Sequence, residues 1–115
     1  MPVYGFMSGS AFSVAANAVS TNQLAGQLYE FLQVRSLVRY RASASAAGLN
    51  TTLLCVPRPG PVVNDQAISQ ANRWPILPDD LVTQFPASAG SRLVLTFRNT
   101  TVGVLTVNWI VETIG

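Results

Sequence analysis

The chain has no histidine, no lysine and only one cysteine, Cys55, among its 115 residues. Without histidine it lacks the commonest general base and imidazole metal ligand, and without lysine it has no amine for a Schiff base. A single cysteine excludes an intrachain disulfide and a cysteine-based metal framework. Set inside "TTLLCVP", Cys55 reads as a buried, inert thiol. Charge is scarce too: 10% of residues are Asp, Glu, Lys or Arg, against about 25% in ordinary soluble domains. The five acids are Glu30, Asp65, Asp79, Asp80 and Glu112, and nothing in their spacing sets two carboxylates against each other as a glycosidase requires. No glycine pattern matches a phosphate-binding loop. The reading is therefore of a protein that is not an enzyme. No uninterrupted apolar run reaches the roughly 18 residues of a membrane helix, so no membrane partner is expected. The uncharged opening stretch lacks the basic start and solid apolar core of a signal peptide.

A surface so poor in charge implies burial against other subunits, because interface cores are depleted of charged residues. The formal net charge is +2, and no block of consecutive basic residues forms a nucleic-acid-binding tail. All seven basic residues are arginine, and three of them fall within "RSLVRYR". In a strand over 31–43, alternation puts Arg35, Arg39 and Arg41 on one face, with Val38 and Tyr40 on the other.

Strand signals run through the rest of the chain. The stretch 11–20 alternates weakly, and 50–57 is short, apolar and closed by a proline. Residues 91–99 place Leu93, Leu95 and Phe97 on one face. Residues 103–114 place Leu105, Val107, Trp109 and Val111 inward, with Thr106, Asn108 and Glu112 outward. Between these last two, residues 99–103 are short enough for a hairpin turn. Six of the seven prolines lie in 57–90, which excludes central strands there but leaves room for edge strands around Val62 and Val63 or Trp74 to Leu77. Two short helical turns are predicted. One lies over 21–32, where Leu24, Leu28, Phe31 and Leu32 have helical spacing after Thr21. The other lies over 78–85, with Asp79 and Asp80 at its start. These features give one all-β domain over residues 1–115, a jelly-roll β-sandwich with one or two short helical turns.

Candidate functional residues follow from this layout. Arg35, Arg39 and Arg41 are candidates for nucleic-acid phosphates or for a subunit interface, where arginine pairs in planar fashion with carboxylates such as Glu112. Trp74, Trp109, Tyr29 and Tyr40 are candidate anchors in the core or an interface. Asp79 and Asp80 cap a helix or, with further oxygens from a neighbour, hold calcium, the one cofactor weighed.

Three stretches, "YEFLQVRSLVRYRAS", "NTTLLCVPRPGPVVNDQAIS" and "GSRLVLTFRNTTVGVLTVNWIVETI", resemble in pattern and order the shell domain of small icosahedral plant-virus coat proteins of the tombusvirus, sobemovirus and tymovirus kind. They look like the entry to the third strand of that shell, the strand after it with its polar loop, and the closing hairpin. The basic N-terminal arm of most such coats is missing. The resemblance implies a structural protein that self-assembles into an icosahedral capsid, with many copies of itself and RNA, bound nonspecifically, as partners. Its place would be the virion, assembled in the host cytoplasm. Two alternatives from other classes are a carbohydrate- or ligand-binding β-sandwich module and a fibre or spike subunit.

Overall fold

A computed structural model describes residues 3–27, 30–56, 61–68, 70, 75 and 79–114, with the side chains of 3–6, 10 and 11 left aside. Seven strands follow in order: β1 (Val3–Val14), β2 (Ser36–Ala44), β3 (Leu49–Val56), β4 (Pro61–Ala67), β5 (Leu81–Ala87), β6 (Arg92–Asn99) and β7 (Leu105–Ile114). They form a four-stranded sheet ordered β1-β7-β2-β5 and a three-stranded sheet ordered β4-β3-β6, with every pairing antiparallel. The fold is all-β.

Alternation in the sequence becomes alternation in burial. Along β3 and β6 every second side chain is buried, Leu49, Thr51, Leu53 and Cys55 on one strand and Leu93, Leu95, Phe97 and Asn99 on the other. These meet Val38, Tyr40, Ala42, Ala44, Val107, Trp109 and Val111 of the first sheet in one apolar core. Burying this much apolar surface drives the two sheets together. A polar link between described residues crosses the layer near its middle. The Tyr40 hydroxyl and Thr51 Oγ1 are 2.8 Å apart, and Thr51 Oγ1 donates to the Thr96 carbonyl at 3.2 Å. Satisfying both hydroxyls removes the cost of burying them.

Several expectations are corrected. No helix occurs among the described residues. In 21–32 the apolar spacing is real: among the described residues Leu24 and Leu32 enter the core and Phe31 is exposed, while Leu28 lies outside the described residues. Within this stretch Ala25, Gln27 and Glu30 donate to the Asn22, Leu24 and Gln27 carbonyls at 3.0 to 3.3 Å, separate three-residue turns and not a helical ladder, and the rest of its described backbone bonds to β6. Ser20 and Gln23 donate to the Phe97 and Leu95 carbonyls at 2.8 Å each, and Leu93 and Asn99 donate to the Glu30 and Ala18 carbonyls at 2.8 and 2.9 Å. Two side chains complete the ladder: Ser20 Oγ accepts from Phe97 N at 2.9 Å and Asn22 Oδ1 from Leu95 N at 3.0 Å. Residues 18–27 and 30–32 thus line β6 irregularly, and long-range bonds outcompete a weak helix containing Gly26, which sits at φ +78.

The second expected helical turn is also absent, since Asp79 and Asp80 form a turn that leads into β5. Pro86 lies within β5, an edge strand where a missing donor is tolerated. The first strand begins earlier than 11–20 and ends at Val14, before Asn17 turns the chain at φ 53. The strand expected from residue 31 starts at Ser36, because Leu32 is tied to Ser91 and Gly90 near β6 before the chain crosses to the other sheet.

Residues 99–103 do not make a hairpin, since β6 and β7 lie in different sheets. Asn99 organises the crossing: its amide nitrogen donates to the Val14 carbonyl at 3.0 Å and the Gly103 carbonyl at 2.8 Å, and its Oδ1 accepts from Thr101 N at 2.9 Å.

Candidate functional site

The antiparallel register of β2 and β7 sets Arg39 directly opposite Glu112 and Arg41 opposite Ile110, all on the face turned away from the core. Arg39 donates through Nε to Glu112 Oε1 at 3.3 Å and through Nη2 to Oε2 at 3.4 Å, and Arg41 Nη2 lies 3.6 Å from Oε1. Although Glu112 points outward as expected, its side chain is only 8% exposed, and Ile110 beside it is fully buried. Long arginine stems shield such neighbours while their heads reach for charge. Two guanidinium groups share one carboxylate, so the cluster keeps one positive charge. The buried Nε of Arg41 has no hydrogen-bond partner.

Arg35 is not part of this cluster. It precedes β2, is exposed, and makes no ion pair among the described residues. The pairing weighed for an interface is therefore made within the chain, and by two of the three arginines.

The other described arginines are also paired. Arg98 and Asp65 form a two-pronged contact on the outer face of the second sheet, with Nε to Oδ1 at 2.9 Å. Asp65 sits in a break of the β3–β4 register with φ 51, and its backbone N–H donates to Thr52 Oγ1 at 3.0 Å. Arg92 Nε donates to Glu30 Oε2 at 2.7 Å, while Gly26 N donates to Oε1 at 3.0 Å. The same guanidinium lies 5.7 Å from the centre of the Phe31 ring.

Arg98 beside Asp65 holds that carboxyl below its ordinary 3.8, and Arg92, helped by the Gly26 amide, holds Glu30 below 4.5. Both native pKa values are depressed, so the two groups stabilise the fold above their ordinary values and lose that contribution as pH falls through the native ones. Urea midpoints measured between pH 6 and 2 are expected to drop below about pH 4.5, with a shallower drop in an Arg92→Gln, Arg98→Gln double variant.

The aromatic candidates that are described lie in the core. Tyr40 is fully buried, and burial pushes its phenol far up from 10.0. Trp109 is buried with its indole laid across Gly9: a Cβ there would collide with Nε1. Tyr29 and Trp74 lie outside the described residues. Asp80 is buried and its carbonyl accepts from Ala42 N at 3.1 Å, whereas Asp79 is exposed. Among the described residues no three groups of the His, Cys, Asp or Glu type come together as metal ligands.

The sequence reading passed over the exposed apolar residues at the two ends of the molecule. Val102 and Val104, 91% and 65% exposed, flank Gly103 in the β6–β7 connection. Phe31, Val34 and Val56 are exposed at the opposite end. The signal was available in "NTTVGVL", which carries valines where a turn ordinarily carries polar residues. At that second end an open cleft of about 660 Å³ is lined, among the described residues, by Cys55, Phe85, Pro86, Ala87 and the serines and alanine of the β5–β6 turn. No protein-family model, curated protein or solved structure matches the chain.

Proposed function

We propose that the chain is a jelly-roll subunit whose work is structural: it assembles with many copies of itself into a closed shell around nucleic acid. One observation carries this reading, the pairing scheme of the strands. Counting the described residues of 18–32 as a second, irregular strand beside the seven regular ones gives eight positions among the described residues. The first then pairs with the eighth (β1 with β7), the second with the seventh (18–32 with β6), the third with the sixth (β2 with β5) and the fourth with the fifth (β3 with β4). A long antiparallel ribbon rolled up on itself would produce this order, which supports the jelly-roll reading, an architecture used by viral shells.

The distribution of charge supports assembly. Arg39, Arg41, Arg92 and Arg98 are paired inside the chain, so among the described residues the outer faces of the strands present little unbalanced charge to a neighbouring subunit. Exposed valines and Phe31 at both ends offer apolar contact to neighbours. Nucleic acid has a smaller share: the residual charge of the Arg39–Arg41–Glu112 cluster and the exposed Arg35 give a weak, phosphate-directed and sequence-independent attraction. A carbohydrate-binding module would stack sugars on exposed aromatic rings, and Tyr40 and Trp109 are occupied in the core.

Light scattering and negative-stain microscopy of the purified protein, with its absorbance ratio at 260 and 280 nm, test the reading. Uniform spherical particles of many subunits with a raised ratio are the expected result. A monodisperse monomer at all concentrations would overturn it.

A further inference from the structure

Three of the four sheet edges are closed to further pairing. The outer edge of β6 is taken by residues 18–32 through the backbone and side-chain bonds described above. β5 carries Pro86, which lacks an N–H, and its register with β2 breaks next to Arg41. β4 has two register breaks and an exposed Asp65 in the left-handed region. Proline, bulges and charge are the usual devices that keep an edge from recruiting another strand.

β1 has fewer of them. It is 12 residues long, with the sequence VYGFMSGSAFSV, and contains no charge and no proline. Between its two bulges, Gly5–Gly9 runs in unbroken register against Thr113–Trp109 of β7. Along Gly5–Gly9 its other edge is the end of the sheet, and no backbone group among the described residues bonds to it there.

We infer that the Gly5–Gly9 edge of β1 pairs antiparallel with the same edge of a second copy, across a two-fold axis at Met7. This rests on the self-assembly proposed above and names one of its contacts. A two-fold pairing is self-complementary, so the same five residues serve both sides. It places Gly5 opposite Gly9 of the second copy and Phe6 opposite Ser8 of the second copy. The stretch is uncharged, so a second copy meets no like charge, whereas a strand of a charged partner would gain no ion pair. The two four-stranded sheets become one of eight strands, and the free N–H and C=O groups at the centre of β1 find partners.

Ser8 is exposed and directed away from the core, which makes Ser8→Lys a clean probe. Ser13→Lys, exposed beyond the second bulge, is its charge-matched control. Sedimentation velocity of the full chain over a concentration series, with hydrogen exchange of the amides in 5–9, reads the contact. The expected result is that Ser8→Lys raises the dissociation concentration about tenfold, that Ser13→Lys leaves it unchanged, and that wild-type protection of 5–9 grows with protein concentration. Wild-type particles that Ser8→Lys forms equally well, with 5–9 unprotected, would overturn the β1 contact and leave the shell standing. A dimer that Ser8→Lys splits, with no larger species, would uphold the contact and overturn the shell. A wild-type monomer throughout would overturn both.

Discussion

Glu112→Ala is expected to lower the stability of the fold by about 3 kcal/mol, read as a shift of the urea midpoint at neutral pH. The size of the effect comes from what is left behind. Glu112 is the carboxylate that Arg39 and Arg41 share, and their side chains are only 26% and 18% exposed. Removing it leaves two cations that are largely shielded from water with no opposing charge, and the desolvation they suffered is no longer offset. Replacing the cluster as a whole is a different matter: Arg39→Met, Arg41→Leu and Glu112→Leu together are expected to recover most of the loss, because the stems already pack as apolar groups. Asp65→Ala supplies the contrast. Its ion pair with Arg98 is exposed on both sides, and pairs of that kind contribute at most about 1 kcal/mol. A Glu112→Ala cost no larger than that of Asp65→Ala would show the cluster to be an ordinary surface pair. The variant also changes the electrostatics of the outer face: with both guanidinium groups released, the shell proposed above would hold more nucleic acid and show a higher 260-to-280 nm ratio.

Where a residue's role depends on a two-residue period, the sequence already carried it. Leu93, Leu95 and Phe97, like Leu105, Val107, Trp109 and Val111, face the core as their alternation requires, because one side of each strand has to be apolar. The common face of Arg39 and Arg41 follows from the same rule. Their partner does not. Arg39 and Glu112 are 73 positions apart, and only the register of β2 against β7 brings them together. That register is set by how the whole core closes, so a carboxylate on the same sheet and one on a neighbouring subunit look alike from the sequence. The connection 99–103 misled for a related reason. A short link between two alternating strands suits a hairpin, but both strands turn their apolar faces into the same core from opposite layers, and the link crosses between the sheets. The candidate site itself was half legible: Arg39 and Arg41 were found, Arg35 was attached to them by a strand expected from residue 31 that begins only at Ser36, and the exposed valines at 102 and 104 were missed because the turn was judged by its length.

Leu24→Ala is expected to have an effect as large or larger, about 3 to 4 kcal/mol, and of a different kind. Leu24 is fully buried, and its backbone N–H is held by Asn22 Oδ1 at 3.0 Å, the atom that also receives Leu95 N. One apolar side chain therefore pins the middle of an irregular segment whose flanks supply the bonds to β6. Cutting it to a methyl group removes its transfer energy and leaves a cavity that the neighbouring strands fill only in part. It also loosens residues 18–32 from the edge they cover. That edge has alternating large apolar residues, Leu93, Leu95 and Phe97, and its N–H and C=O groups would then be open to another strand. Two outcomes should therefore appear together: a lower urea midpoint, and a rise in light scattering or thioflavin fluorescence at urea concentrations below that midpoint. Asn22→Ala separates them, because it removes the acceptor for Leu95 N while keeping the Leu24 anchor. It should cost about 1 to 3 kcal/mol for the buried donors left unsatisfied and aggregate less. If Leu24→Ala lost stability without any gain in aggregation, residues 18–32 would be filling the core without guarding the edge.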